Sequence, residues 1–249
     1  KDNYFRTMYG PQPVANGLLT TTQLLTYTAA TGAIAAALGI YLIAINGWDP
    51  VIWVLLGLGA FFVLFYTWPL KYIALGEVAV LLVWGPLMIG GGYYVLAHQW
   101  DWNVVWASIP YYFGVTTVIF GKHIDKITVD KEKGIHTLPV ILGERNSRFA
   151  VIGMMVAPYL LVLAMIALKY FTPVMLVVLL AFPTLKATLP LFLQPRPQTR
   201  PDWFPDGQGG WPLFFAPLAF RNNRAFGGLF LLGLLVDVLI RIYAPAFWR

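Results

Sequence analysis

The sequence predicts an all-α fold, a polytopic transmembrane helix bundle, and three observations carry that reading. Charged residues make up 11% of the 249 positions and hydrophobic ones 59%, against roughly 25% charged in an average soluble domain. A soluble globule of this length leaves a large accessible surface and has no room to hide so much apolar area. Seven apolar stretches are each long enough, at about 20 residues, to cross about 30 Å of hydrocarbon. Basic residues fall almost entirely to one side of those stretches. The same composition excludes fibrous, disordered and coiled-coil classes. The absence of cysteine excludes disulfides, thiolate metal sites and thiol nucleophiles. A net charge of +6 would suggest a nucleic-acid partner in a soluble protein; here the placement of the charges assigns them to topology, and no nucleic acid is expected.

In order, the chain opens at Lys1 with a polar stretch, and the apolar segments follow at 22–45, 50–69, 74–97, 103–121, 149–168, 172–193 and 225–244. Turn chemistry separates them: Asn46-Gly47-Trp48-Asp49-Pro50, Trp68-Pro69, His98-Gln99-Trp100-Asp101 and Thr172-Pro173. Trp and Tyr gather at several of these ends, as in interfacial aromatic belts. No internal repeat is present, so 1–249 reads as one domain, and the Pro-rich stretch within 195–224 reads as a linker along the membrane surface. Thirteen Lys and Arg residues fall on one side, from Lys1, Arg6 and Lys71 through Lys122 to Arg148 and Arg196 to Arg224, while Lys169, Arg241 and Arg249 fall on the other. The positive-inside rule then predicts an integral inner or plasma membrane protein with its N-terminus and the 121–148 loop in the cytoplasm and its C-terminus outside.

That loop, GKHIDKITVDKEKGIHTLPVILGERNSR, is the longest polar interruption before the linker. It mixes His123, Asp125, Asp130 and Glu132 with lysines. Carboxylates and lysines at a membrane mouth suit an anionic substrate carried by a divalent cation, since Mg²⁺ takes oxygen ligands from one or two carboxylates and substrate phosphates. A solvated loop whose lysines only set topology is the alternative. On a straight helix, Lys126 and His123 lie about 40° and about 20° from Asp130, whereas Asp125 lies about 140° away. Either a bulge or helix end brings Asp125 to the same ion as Asp130, or Lys126 pairs with phosphate directly; spacing leaves both open. Glu77, near the same end of the third span, either meets a ligand or is solvated. Trp84, Tyr93 and Tyr94 either line a tunnel or pack and anchor the helix. His98 and His136 make no metal-ligand pattern. Lys186 and Asp237, deep in their helices, are expected to form a buried ion pair.

The 121–148 stretch resembles the second aspartate motif of the UbiA-type intramembrane prenyltransferases, D-x-x-x-D followed by glycine and a T-L-x-V-x-L-G tail. Gly134, Thr137-Leu138-Pro139-Val140 and Leu142-Gly143 match the tail. Gly76-Glu77, Gly85-Pro86 and Gly92-Tyr93-Tyr94 resemble the fifth-helix signature of the naphthoate-using branch, and the Leu-Pro-Val is similar to the chlorophyll-synthase branch. In that register Asp130 fills the second aspartate position and Lys126 stands at the first. The family's first motif, N-D-x-x-D-x-x-x-D, does not occur in 1–249. Its nine-helix fold would make the seven spans helices three to nine, with two helices expected to precede Lys1.

The resemblance implies Mg²⁺-dependent transfer of a polyprenyl group from prenyl diphosphate to a lipophilic aromatic or tetrapyrrole-type acceptor, within membrane lipid. It implies Asp125 and Asp130 as metal ligands and Lys126 and Asp130 as catalytic residues. Lys122, His123, Lys131, Glu77, Trp84, Tyr93 and Tyr94 are then expected around the substrates. The alternative is a non-catalytic relative serving as a structural or lipid-binding subunit of a larger membrane complex. A transporter has little support, with no inverted repeat of broken helices.

Overall fold

A computed structural model describes residues 12–207 and 209–244. Every element in it is helical: α1 (Thr21–Ile45), α2 (Pro50–Phe65), α3 (Gly76–Ala97), α4 (Trp102–Asp125), α5 (Ile127–Glu132), α6 (Leu138–Ala167), α7 (Pro173–Leu193) and α8 (Phe215–Tyr243). Six of them are long and apolar enough to cross a membrane, and α2 is a shorter apolar helix. The helix starts follow from local chemistry. Thr20 and Gln23 form a reciprocal capping box at α1, Asp49 accepts from Val51 N–H at 2.8 Å ahead of Pro50, and Asp101 accepts from Asn103 N–H at 2.8 Å. In α3 the turns Val83–Gly90 widen to a π-helix around Pro86, which removes the clash between the proline ring and the preceding carbonyl.

Helices stand at all seven expected positions with shifted ends, but the second, Pro50–Phe65, is shorter than a full span, so six rather than seven are long enough to cross. The fourth runs on to Asp125, the fifth begins at Leu138 rather than 149, and the seventh begins at Phe215 rather than 225. Hydropathy registers only the hydrocarbon-depth turns, whereas a helix continues into the polar interface for as long as its backbone bonds are made. The 121–148 segment is therefore not an open loop. It is the end of α4, the short α5, a turn at 133–137 and the start of α6, with Gly143 (φ 76°) supplying a left-handed break that only glycine adopts freely. The linker likewise shortens to 194–214.

The centre of the bundle is α4, packed on α6 and α8, with α7 against α8. Phe120, Met155, Tyr159, Met175, Phe215, Phe226 and Phe230 fill it. Close approach is built in: a Cβ at Gly121 would stand 2.7 Å from the Phe215 carbonyl oxygen, so α4 touches the backbone of α8 there. Many large apolar side chains face outward, Leu96, Val63, Leu180 and Leu64 among them, as hydrocarbon requires no polar exterior. α1 buries only Ile43.

The expected Lys186–Asp237 pair does not form. Asp237 accepts from Thr172 N–H at 2.6 Å and from Arg241 Nε at 2.8 Å, and Arg241 also donates to the Tyr170 carbonyl at 2.7 Å. Lys186 is exposed. Asp237 is level with the α6–α7 turn, while Lys186 lies roughly 20 Å further along α7; depth counted from each helix end hid that difference. Asp237→Asn should lower the thermal midpoint in detergent by an amount equivalent to about 1.5–3 kcal/mol, the worth of a hydrogen bond to a charged group, and Lys186→Met should leave it unchanged. Equal losses from the two variants in a scanning-fluorimetry series would contradict this arrangement.

Candidate functional site

The polar residues of the motif segment gather where α3, α4, α5 and α6 meet, and the break at Lys126 (φ −113°, ψ 8°) decides how they are shared out. Asp125, the last residue of α4, points to α8. Its Oδ2 accepts from Phe214 N–H at 3.0 Å and Ala216 N–H at 2.9 Å, and its Oδ1 from Phe215 N–H at 3.0 Å. A carboxylate there satisfies the orphan donors of the first turn and complements the helix dipole. Arg196 strengthens the junction. It donates to the Asp125 carbonyl at 3.3 Å and to the Pro212 carbonyl, its guanidinium lies 4.9 Å from the Trp211 ring centroid, and its backbone N–H donates to Glu144 at 3.1 Å. The metal role expected for Asp125 is therefore corrected. The helix end does intervene between the two aspartates, but it turns Asp125 onto a neighbouring helix, where both of its oxygens accept backbone N–H groups.

Lys126 and Asp130 stay together. They form an i,i+4 pair at 3.4 Å, with Asp130 1% exposed and Lys126 8%. Neither Asp130 oxygen has a hydrogen-bond partner, so the pair is held by charge at a distance rather than by a directed bond. Beside it, Glu77 is fully buried rather than solvated. Its Oε1 lies 2.5 Å from His123 Nδ1, and its Oε2 accepts from Leu138 N–H at 3.3 Å. One side chain thus ties α3 to α4 and to the start of α6. His123 Nε2 and Thr137 Oγ1 are buried without partners.

Lysines surround this core. Lys122, part-buried in the last turn of α4, lies in the field of Lys126, Lys71 and Asp130. Lys71, in the short turn between α2 and α3, was read only as a topology marker. It is half-buried within electrostatic reach of Asp130, Lys126, Glu77 and Lys133; burial lowers its pKa, and the attraction of Asp130 works against that. Tyr66 comes over with it, its pKa raised by burial and secondarily by the Glu77 charge. The backbone bridge between Ile73 and His136 holds this 66–75 turn against the 133–137 turn. No local pattern announces Lys71, because a bridge across more than sixty residues delivers it.

The structure brings Glu77, His123, Lys122, Lys126 and Asp130 together and leaves the other candidates elsewhere. Lys131 is exposed on α5. Trp84 is 36% exposed on the π-helical stretch. Tyr93 and Tyr94 lie about 24 Å along α3 from Glu77, where Tyr94 donates to Asp49 at 2.9 Å and Tyr93 accepts from Gln99 at 3.4 Å. Among the described residues no group of three or more His, Asp or Glu side chains converges on a point where a metal ion could sit. The donor set near the mouth does not fit the Mg²⁺ implied by the resemblance: Asp125 is spent on α8, Glu77 on His123 and Leu138, and the Asp130 charge is answered by a lysine.

A model of the UbiA prenyltransferase family matches residues 11–218. Curated relatives include the 2-carboxy-1,4-naphthoquinone phytyltransferase of Synechocystis sp., 28% identical over 117 residues, which are 45% of this chain and 38% of that protein. The 1,4-dihydroxy-2-naphthoate octaprenyltransferase of Escherichia coli is 34% identical over 80 residues, 32% of this chain and 26% of its own length. A UbiA prenyltransferase domain-containing protein of Dictyostelium discoideum is 27% identical over 132 residues, 51% of this chain and 40% of that protein. The matches to these three relatives span 26% to 40% of the relatives' lengths. No solved structure gives a significant match. With the family model covering most of the sequence and the apolar helical bundle agreeing with it, the chain belongs to the UbiA prenyltransferase family.

Proposed function

We propose that this membrane protein transfers a prenyl group from a prenyl diphosphate to a lipophilic aromatic acceptor of the naphthoate kind. The observation that carries the reading is the cluster of Lys71, Lys122, Lys126 and Asp130 at one end of an otherwise apolar bundle; the naphthoate prenyltransferases among the relatives supply the acceptor class. The chemistry agrees. Cleaving the allylic C–O bond leaves the electron pair on diphosphate, and ammonium groups fixed in a low-dielectric site stabilise that charge as it develops. The allylic cation left behind needs an apolar, water-poor surrounding so that the acceptor ring captures it before water does; the attacked ring carbon then regains aromaticity by losing its proton, or its carboxylate as CO2. Incubating the detergent-purified chain with geranylgeranyl diphosphate and 1,4-dihydroxy-2-naphthoate should yield a prenylated dihydroxynaphthalene product and pyrophosphate, with a proton or CO2 released from the ring. Absence of product across a panel of prenyl lengths and aromatic acceptors would remove the reading.

One observation favours a second reading. Lys126 stands where the family motif has aspartate, as expected of a non-catalytic relative that binds lipid within a larger membrane complex. Stable co-purification with other membrane subunits, together with inactivity, would support it.

The topology proposed with this function puts the lysine cluster in the cytoplasm, as the thirteen-to-three basic split directs. Gly134→Cys should be labelled by a membrane-impermeant maleimide only from the cytoplasmic face, and Arg249→Cys only from the other. Labelling of both from one face would overturn the arrangement.

A further inference from the structure

The first turns of α8, unlike the other helix extensions, run beside apolar turns of their neighbours. Gly121 of α4 packs on the Phe215 backbone, and the Phe192 ring of α7 lies 4.9 Å from the Phe215 ring. Both partners stand at the ends of the apolar stretches of their own helices. At 1.5 Å per residue, Arg221 and Arg224 lie about 9 and about 14 Å further in. Asn223, which packs against Gly114, and Gly227, beside Tyr111, keep the same register. The run Arg221-Asn222-Asn223-Arg224 thus sits at hydrocarbon depth. The side-chain oxygens of both asparagines are buried without partners, and neither arginine makes an ion pair or hydrogen bond among the described residues.

The helices packed on α8 offer Arg224 no carboxylate. On α4 and α6 the acids stand at the mouth, where Asp125 accepts three backbone N–H groups and Glu144 is held by Arg148 and the Arg196 N–H. α7 carries none, and its Lys186 is a further cation. Asp237, about 20 Å along α8, is held by Thr172 and Arg241. Asp202 and Asp206 of the linker form no ion pair with Arg224. A guanidinium keeps its charge in any surrounding, and one at this depth faces a partner or a cavity. A cavity lies beside it. Pro217, Phe220 and Arg224 share one face of α8, at i, i+3 and i+7. Pro217 and Phe220, with Val118 of α4 and Gly209 and Leu213 of the linker, line an apolar space of about 410 Å³, within the roughly 300–1,000 Å³ of small-molecule sites. Arg224 stands one turn beyond Phe220, and Lys122 stands one turn beyond Val118 at the opposite, mouth end. The two cations are about 14 Å apart along the bundle.

Resting on the prenyl-transfer reading, we infer that Arg224 binds the carboxylate of an aromatic acid acceptor, whose ring lies in this cavity between Arg224 and the Lys122 end. The fork of a guanidinium matches a carboxylate with two parallel hydrogen bonds. Arg221, nearer the mouth, can extend to headgroup level along its own methylene stem. An acceptor that lacks the carboxylate leaves the Arg224 guanidinium unanswered, so the site selects aromatic acids over the corresponding phenols.

The probes are 1-hydroxy-2-naphthoate and 1-naphthol, titrated calorimetrically into the detergent-purified 249-residue chain, with thermal unfolding of each variant as a check on the fold. Wild-type protein should bind the naphthoate at least roughly tenfold more tightly than the naphthol. Arg224→Gln should weaken naphthoate binding roughly tenfold or more, the loss of a charge-assisted contact, and leave naphthol binding unchanged. Arg224→Lys, which keeps the charge without the fork, should retain part of the preference. Val118→Trp, which fills the cavity, should weaken both ligands by the same factor. Naphthoate binding that Arg224→Gln leaves unaltered, including the case in which the variant loses only bound phosphatidylglycerol, would overturn the inference. If wild-type protein transferred prenyl groups all the same, the prenyl-transfer reading would stand. No transfer by wild-type protein to any acceptor would overturn both.

Discussion

Removing the Lys126 ammonium should lower prenyl transfer by about 10²–10³-fold, the loss typical of deleting one transition-state electrostatic contact. Lys126→Met alone also leaves Asp130 buried and unpaired, which destabilises the fold by itself. The double variant Lys126→Met/Asp130→Leu separates the two effects: with both charges gone, the thermal midpoint should return close to wild type, since well-packed apolar replacements of a buried pair are often neutral or better. Activity should not return. The comparison is between turnover, measured as pyrophosphate released, and the unfolding midpoint of the same preparations. A double variant that is both stable and active would show that the pair is structural only.

Asp125→Ala should be the most destabilising single change in the motif segment. It leaves the backbone N–H groups of Phe214, Phe215 and Ala216 without their acceptor, and each buried donor left unmade costs about 1–3 kcal/mol, so the total is on the order of 5 kcal/mol. Asp125→Asn keeps one carbonyl oxygen and should lose about half as much. Pulse proteolysis should show the 194–214 linker cleaved first in both variants, because the Asp125 carbonyl and the α8 start are what Arg196 and the linker dock against. If instead Asp125→Asn retained wild-type stability and lost turnover, the carboxylate would belong with the reacting groups after all.

Lys126 and Asp125 are neighbours in sequence, yet the structural partner of one lies within the motif and that of the other does not. Lys126 pairs with Asp130 four residues on, a distance that helical periodicity makes legible. Asp125 pairs with residues 214–216, nearly ninety positions away, and nothing local signals them. The same contrast separates Glu77 from Lys131. Glu77 sat near the right end of its span, but its burial against His123 and Leu138 required three helices to converge, whereas Lys131 shares the motif and ends on the exposed side of α5.

The amino-acid sequence by itself determined the class of the molecule. Composition and the spacing of apolar stretches specify a helical membrane bundle, because hydrocarbon admits only segments whose backbone bonds are internally satisfied, and the motif tail identifies the family. Tertiary structure alone decided how the polar residues are apportioned. A buried carboxylate goes to whichever donor or cation the packing brings beside it. For Asp237 that donor was Arg241 and the Thr172 N–H rather than Lys186, for Asp125 it was the start of α8, and for Asp130 it was a lysine standing in an aspartate's place.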